Sequence, residues 1–573
     1  MSITDYSRAM VTLVKITFPW CGNTFGVSPC ASVGSPLGVP CFNTYHTCSD
    51  QAHFTWTTKT YSFSSADAPP PFPGPRPYVK NITYLATEIF ENLTKTGRIK
   101  VEFANEPDMD IGIDPYVTRR ALWPETPGTF FKKLIARNPN YKGQVLEIFE
   151  GVLGDPEASF VKKAHILLET GAISTGSFTF ESLDLLAGLN DVECPKKVDI
   201  KLLTDISTSS ATITLTDTVD ADNFDTANQY IRIDDEIIGF SGYDPDTHVL
   251  SGLTRAAFGS VNVEHSAGTA VQPCRYFAPG NPFDHLLDML FVDAAYDVSL
   301  VDFASFGMAR DWPELDIPMS AIFSEPTKLN DIYMGLVNQL NCRSWVAENL
   351  QITIRRNIAN QPGRQYVALS DADAIIKGSC SIDLWETSRK TRCAIFWEKT
   401  PLGKFDDLTS YQRIDVGVNA DAETEYGDTV QETLVSSWLT AAGIQDETLA
   451  YYMSDLLQRR MFYTRDASPI LTASVDPKNG AMQVGDYVTL TTDEFCNPDG
   501  TPVRARFQII KRDYKGAKVE YRFQRMPVRR NLFYTPEEVT SYETATEAQR
   551  EYGGFYCDDN NRNSDGSDGF LYY

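Results

Sequence analysis

The sequence predicts a multidomain, mainly β protein with α+β parts: small barrels or sandwiches in series, a helix–strand module and a Cys-rich N-terminal segment. Three observations predict it. The chain has 573 residues, too many for one hydrophobic core. Short runs of alternating polar and apolar residues recur, separated by Gly, Pro, Asn and Asp. Two stretches with apolar residues at i, i+3 and i+4 supply the helices.

Residues 1–65 hold four of the 11 cysteines, Cys21, Cys30, Cys41 and Cys48. Residues 66–77 form a Pro-rich linker whose prolines exclude helix and central strand. Residues 78–192 read as a β-rich α+β domain, with strands expected at 98–103 and 145–152 and around Phe178 and Phe180. Residues 193–275 read as an inserted small β domain. There Asp234-Asp235 separates two apolar runs as a two-residue hairpin turn.

Residues 276–390 are expected to be α+β. Asn281-Pro282 is an N-cap followed by Pro at the first helical position. A second helix near Pro326-Thr327 carries the stripe Leu329, Ile332, Tyr333, Leu336, Val337 and Leu340, which reads as core. Residues 391–530 read as a helix at 446–462 followed by the strands of a barrel. Residues 531–573 are an extended tail whose polar composition reads as disordered unless a partner pins it.

Composition excludes several function classes. Lys and Arg total 51 against 76 Asp and Glu, a formal charge of −25, so a field of this sign repels duplex DNA and anionic membranes. No apolar run reaches spanning length. Residues 9–18 are too short, are broken by Lys15 and precede no small-residue cleavage site, so neither a signal peptide nor stable membrane insertion is expected. Six histidines are a thin supply for acid–base chemistry. No nucleophile-elbow, zincin or P-loop motif is present, and no catalytic residue is nominated. The run from Asp108 to Asp114 resembles half a calcium loop, but Arg119 stands where the bidentate acid belongs, so it reads as an acidic turn.

The quartet is the sharpest chemical signal. Its spacing is C-x8-C-x10-C-x6-C. Zinc knuckles pair cysteines across C-x2–4-C turns, and no such pair exists here. A [4Fe–4S] cube tolerates wide spacing because each corner takes one thiolate. The segment is rich in Gly, Pro, Ser, Thr and Asn and poor in aliphatics, so it needs a staple. The residues favour a cube over two disulfides, four unrelated thiols or a zinc ion, and leave each of these open. The odd total of 11 cysteines, the seven others scattered singly, argues for a reducing compartment during folding. His46 and His53 read as surface groups.

The motif Cys21-Gly22-Asn23-Thr24-Phe25-Gly26-Val27-Ser28-Pro29-Cys30, with Cys41-Phe42-Asn43-Thr44 and Cys48-Ser49-Asp50, resembles the cluster-binding segment of lambda-like tail-tip proteins of long-tailed bacteriophages. The outer intervals match and the middle one is shorter. The resemblance implies a [4Fe–4S] cluster held by Cys21, Cys30, Cys41 and Cys48.

Other segments resemble siphovirus-like baseplate hub proteins: Asp114-Pro115-Tyr116 with Arg119, the run from Gly128 to Pro139, and Val484-Gly485-Asp486-Tyr487. Leu253-Thr254-Arg255-Ala256-Ala257-Phe258-Gly259 with His265-Ser266-Ala267-Gly268 is similar to a β cassette recurrent in phage tail proteins. Together these imply a structural virion protein rather than an enzyme, assembled in the host cytoplasm into the tail tip or baseplate. It would be a homotrimer contacting the distal tail protein, other baseplate or tail-tip proteins, the tape measure protein and the central fibre, and DNA would meet it only as passing cargo during genome ejection. The alternatives are a tip-borne cell-wall hydrolase and a receptor-binding adhesin.

Residues 503–530 reverse the charge, with ten Lys and Arg against Asp513 and Glu520. Alternation places Ala505, Phe507 and Ile509 on one strand face and Arg504, Arg506 and Gln508 on the other. The expectation is a hairpin with a basic outer face, either solvated or docked on an acidic neighbour.

Overall fold

The computed structural model describes residues 10–32, 41–65, 75–84, 88–90, 93–95, 99–108, 110, 116, 128–182, 185–216, 224, 229–310, 317–347, 351–357, 366–385, 389–441, 444, 446–466, 468–476, 480, 482–496, 500–514 and 518–526. Most of the Pro-rich linker, the tail 531–573, most of the acidic turn and Asp114, Pro115 and Arg119 lie outside the described residues. The protein is mainly β, built from several separate sheets in series. It divides into two compact units. One comprises Met1–Thr87, Thr96–Leu185 and Val346–Gln351, the other Glu88–Lys95, Leu186–Trp345 and Ile352–Tyr573.

The first unit is a seven-stranded antiparallel sheet. Its order is Trp56–Ser64, Met10–Cys21, Val145–Val152, Val161–Ser174, Ser177–Ser182, Ile99–Ala104 and Val79–Tyr84. Alternation sets the faces: Val101 and Phe103 are fully buried, while Lys100 is exposed and Glu102 half-buried. Helix Phe130–Arg137 lays Phe130, Phe131 and Leu134 against Val14, Ile16, Phe18, Phe63, Phe178 and Phe180, and this is the unit's core. The first two strands pair from Leu13↔Ser64 to Cys21↔Trp56. The ladder therefore closes the loop 22–55, and Cys21 is its last rung.

In the second unit, a small β cassette joins the strands Ile200–Lys201, Tyr230–Ile233, Glu236–Gly239 and Ala270–Gly280 to the strands Thr212–Thr214, Gly242–Asp244 and Val249–Ser251. Ile213, Leu215, Ile231, Ile233, Ile238, Leu250 and Val271 form its core. Asp234-Asp235 is the hairpin turn, Asp234 taking φ +48°, a conformation Asp tolerates. Strand Ala270–Gly280 then leaves the cassette and pairs with Met319–Phe323. Asn281 caps helix Pro282–Asp288 by accepting from the Phe283 amide at 3.0 Å. In helix Leu329–Gln339, the residues Leu329, Ile332, Tyr333, Leu336 and Val337 are fully buried. That helix starts after Thr327-Lys328, which pair with Glu193–Cys194 as a short strand.

The closing sheet runs Val367–Ser370, Tyr487–Cys496, Pro502–Tyr514, Val519–Arg525, Ser468–Val475 and Ser381–Trp385, with the short pair Glu88–Phe90 and Leu93–Lys95 attached at Lys511. Residues between Ser381–Trp385 and Ser468–Val475 form a separate three-stranded sheet and helix Asp446–Thr464. The closing sheet thus draws on strands from both sides of that insertion.

The basic hairpin differs from the expected open face. Phe507 and Ile509 enter the core, but Gln508 is also fully buried and Arg506 is 8% exposed. Arg343 donates to Gln508 at 2.7 Å and to Gln524 at 2.9 Å, and Arg506 lies 3.8 Å over the Tyr366 ring. A bulge between Ile509 and Lys511 buries Ile510 as well. At Arg506 and Gln508 the polar face is therefore a buried hydrogen-bonded layer of this same chain. Arg504 is exposed, and Lys515, Arg529 and Arg530 lie outside the described residues.

Candidate metal centre

The described residues of the loop 22–55 form little core. Among its described residues Phe54 is the one buried large apolar side chain, and it contacts Tyr45 and Trp56. Polar groups hold the path instead. Gly22 donates to the Thr55 carbonyl at 2.9 Å, extending the ladder beyond Cys21. The Asn23 side chain donates to the His53 carbonyl at 2.6 Å. The Phe25 amide donates to the Tyr116 hydroxyl at 2.8 Å.

Asn43 is the buried hinge of this arrangement. Its carbonyl accepts from the Cys21 amide at 2.8 Å, and its side chain donates to the Cys21 carbonyl at 3.1 Å. It takes φ +56°, a left-handed conformation that suits Asn better than most residues. Sequence reading missed it; the signal available was an Asn two residues after a ligand-type Cys.

The four cysteines gather. Cys41 feels the charges of Cys48, Cys21 and Cys30, and Cys48 feels those of Cys21 and Cys30. Burial raises the Cys41 thiol above its ordinary range against the opposing Asn43 amide, and this mutual repulsion adds to it. Burial raises Cys48 likewise, opposed by the Asp50 amide. At Cys30 burial is outweighed by the amides of Gly26 and Ser32 and the Ser32 hydroxyl, and its pKa is lowered. Amide donors thus reach three sulfurs; the Asn43 amide lies 3.4 Å from Cys41 Sγ and the Asp50 amide 3.4 Å from Cys48 Sγ. Such second-sphere donors stabilise thiolates and tune a metal group that binds them.

All ten described cysteines are free thiols. Among the described residues no three His, Cys, Asp or Glu side chains close on one metal-ion position. A tetrahedral zinc ion needs its sulfurs within about 2.3 Å of a single point, whereas a cube gives each thiolate its own corner. Four thiols, one for each corner, are the donor set such a cube takes. His53 is 52% exposed and pairs with Asp50 at 2.9 Å, and His46 is exposed.

Elsewhere Asp110 of the acidic turn is tied up by cations of helix Phe130–Arg137. Asp110 accepts from Arg137 at 3.1 and 2.7 Å and pairs with Lys133 at 3.3 Å. In the β cassette, Glu236 is fully buried and takes Arg255 on both oxygens at 2.8 Å, together with His265 at 3.0 Å and the Ala256 amide at 3.0 Å. Burial pulls its pKa up, but Arg255, His265 and the amides of Ala256 and Val263 hold it down to about 2. Both are structural ion pairs.

No protein-family model matches the chain, and no curated protein does. Among solved structures it is similar to the prophage MuSo2 43 kDa tail protein from Shewanella oneidensis, at 10% identity over 78% of this chain and 94% of that one, with a TM-score of 0.36. It is also similar to a tail protein from Neisseria meningitidis MC58, at 10% identity over 77% and 92%, with a TM-score of 0.34. A third is prophage tail protein gp18 from Listeria monocytogenes EGD-e, at 11% identity over 77% and 87%, with a TM-score of 0.32.

Proposed function

We propose that this chain is a structural protein of a bacteriophage tail, a baseplate hub or tail-tip component, whose N-terminal loop is stapled by a [4Fe–4S] cluster. The observation that carries the cluster is the gathering of Cys21, Cys30, Cys41 and Cys48, with the Asn43 and Asp50 amides 3.4 Å from the Cys41 and Cys48 sulfurs, in a loop whose described residues bury almost no apolar side chains. Cys21 would hold it from the sheet's last rung, and Cys30, Cys41 and Cys48 from the loop. When bound, the group supplies four cross-links to a segment whose own residues bury too little to fix it. The tail assignment rests on the motif resemblances and on β modules in series, which suit an assembly component. In that setting the chain forms a homotrimeric ring between tube and tip within the virion. Its charge of −25 keeps passing DNA from adhering, because like charges repel.

Anaerobic purification tests the cluster. A brown protein with broad visible absorbance and about four irons per chain is expected, lost on Cys→Ser at any of the four positions. A colourless chain holding one zinc, or paired sulfurs, overturns it. The tail assignment is tested by labelling: antibody against this chain should mark the distal end of tails, and unlabelled tails overturn it.

A further inference from the structure

Helix Phe130–Arg137 ends in a nearly buried cation. Arg137 is 9% exposed, and its partner Asp110 is 1% exposed. Removing such a pair from water is costly unless both partners are satisfied. Here both carboxylate oxygens accept from Arg137, and Lys133 adds a second cation at 3.3 Å. The guanidinium also lies 4.0 Å from the centre of the Phe42 ring. A desolvated cation over an aromatic face is among the stronger contacts of this kind.

Phe42 stands between Cys41 and Asn43, and Asn43 grips the backbone of Cys21 from both sides. The helix thus reaches two of the four thiols through one ring. Cys30 and Cys48 are braced within the loop itself. The Ala31 amide donates to Asp50 at 2.7 Å, the Ser32 and Ser49 hydroxyls meet at 2.8 Å, and the Asp50 amide meets Cys48 Sγ.

We propose that Arg137 is a positioning residue for the Cys21–Cys41 half of the quartet, clamping Phe42 against the Asp110 pair, while Cys30 and Cys48 are held independently. The proposal rests on the reading of the quartet as a cluster site, and its test is chosen to separate the two. The full chain, iron-free and reduced, is treated with iodoacetamide under native conditions, and each cysteine's rate is read by peptide mass spectrometry. In Arg137→Met, Cys21 and Cys41 should react about tenfold faster than in the parent, as loss of a desolvated cation–π contact opens the loop locally. Cys30 and Cys48 should stay within about twofold, and Cys194, buried in the other unit, should stay protected.

Phe42→Leu removes the ring and keeps the ion pair, so it should give the same selectivity even if Arg137→Met folds poorly. After iron reconstitution both variants should carry less iron and weaker visible absorbance. Arg137→Lys, which keeps the charge without the flat stacking surface, should fall between them and the parent. A uniform rise at all four thiols, or unchanged rates at Cys21 and Cys41, overturns the clamp. If the parent takes up no iron but the selective alkylation holds, the cluster reading falls and the clamp stands.

Discussion

The loop 22–55 and the β cassette of the second unit are both short segments, and they are stabilised by opposite means. The cassette buries Ile200, Leu202, Ile206, Ile213, Leu215, Ile231, Ile233, Ile238 and Leu250 around one core. That burial supports a fully buried Glu236 and a loop in which Ala256 and Phe258 take left-handed backbone conformations at φ +56° and +54°. The loop 22–55 buries only Phe54 among its described large apolar residues and relies on single hydrogen bonds, a cation over Phe42 and four clustered thiols. Apolar area stabilises without regard to direction and tolerates strain elsewhere. A segment lacking it must be held point by point, so each anchor counts.

Five measurements break or sharpen that contrast. The largest effect is expected at Glu236→Ala, which leaves Arg255 and His265 without their buried carboxylate and should destabilise the cassette by about 3–5 kcal/mol in chemical denaturation. The same group makes the cassette acid-sensitive. Its folded pKa, about 2, lies below the ordinary 4.5, so its contribution is present above 4.5 and is lost as pH falls toward 2. Glu236→Gln should flatten that part of the pH profile; an unchanged profile counts against the ion network as the acid-sensitive element.

Next, Ile231→Ala opens a cavity in the cassette core and should cost about 2–4 kcal/mol, with thiol reactivity at Cys21 and Cys41 unaltered. Asn43→Ala acts in the opposite sense. Losing the buried bond to the Cys21 carbonyl should cost about 1–3 kcal/mol locally, read as faster alkylation at Cys21 with the cassette's denaturation midpoint unmoved. The smallest change is Ser49→Ala, which removes one exposed hydroxyl contact to Ser32 and should stay within about 0.5 kcal/mol. If Asn43→Ala proves as mild as Ser49→Ala, the loop is not held point by point and the contrast fails.

Much of this was legible before folding is considered. The Asp234-Asp235 turn, the Asn281 cap and the stripe from Leu329 to Val337 lie where residue spacing places them. The quartet stood out in the sequence as four cysteines within 28 residues of a polar segment. Asn43, Arg137 and Asp110 did not, since an Asn in a loop, an Arg at a helix end and an Asp in an acidic turn are ordinary surface residues until a partner covers them.

The basic hairpin draws the same line. Alternation alone assigned Phe507 and Ile509 to one face and Arg506 and Gln508 to the other, and that assignment is a property of the strand's two-residue repeat. Whether the polar face meets water was decided by Arg343, 165 residues from Gln508, and by Tyr366. Local sequence determined the turns, caps and faces here, because those depend on neighbours a few residues apart. Only the tertiary structure decided which polar residues are buried and which thiols meet, because burial and charge proximity depend on segments that folding brings together from far along the chain.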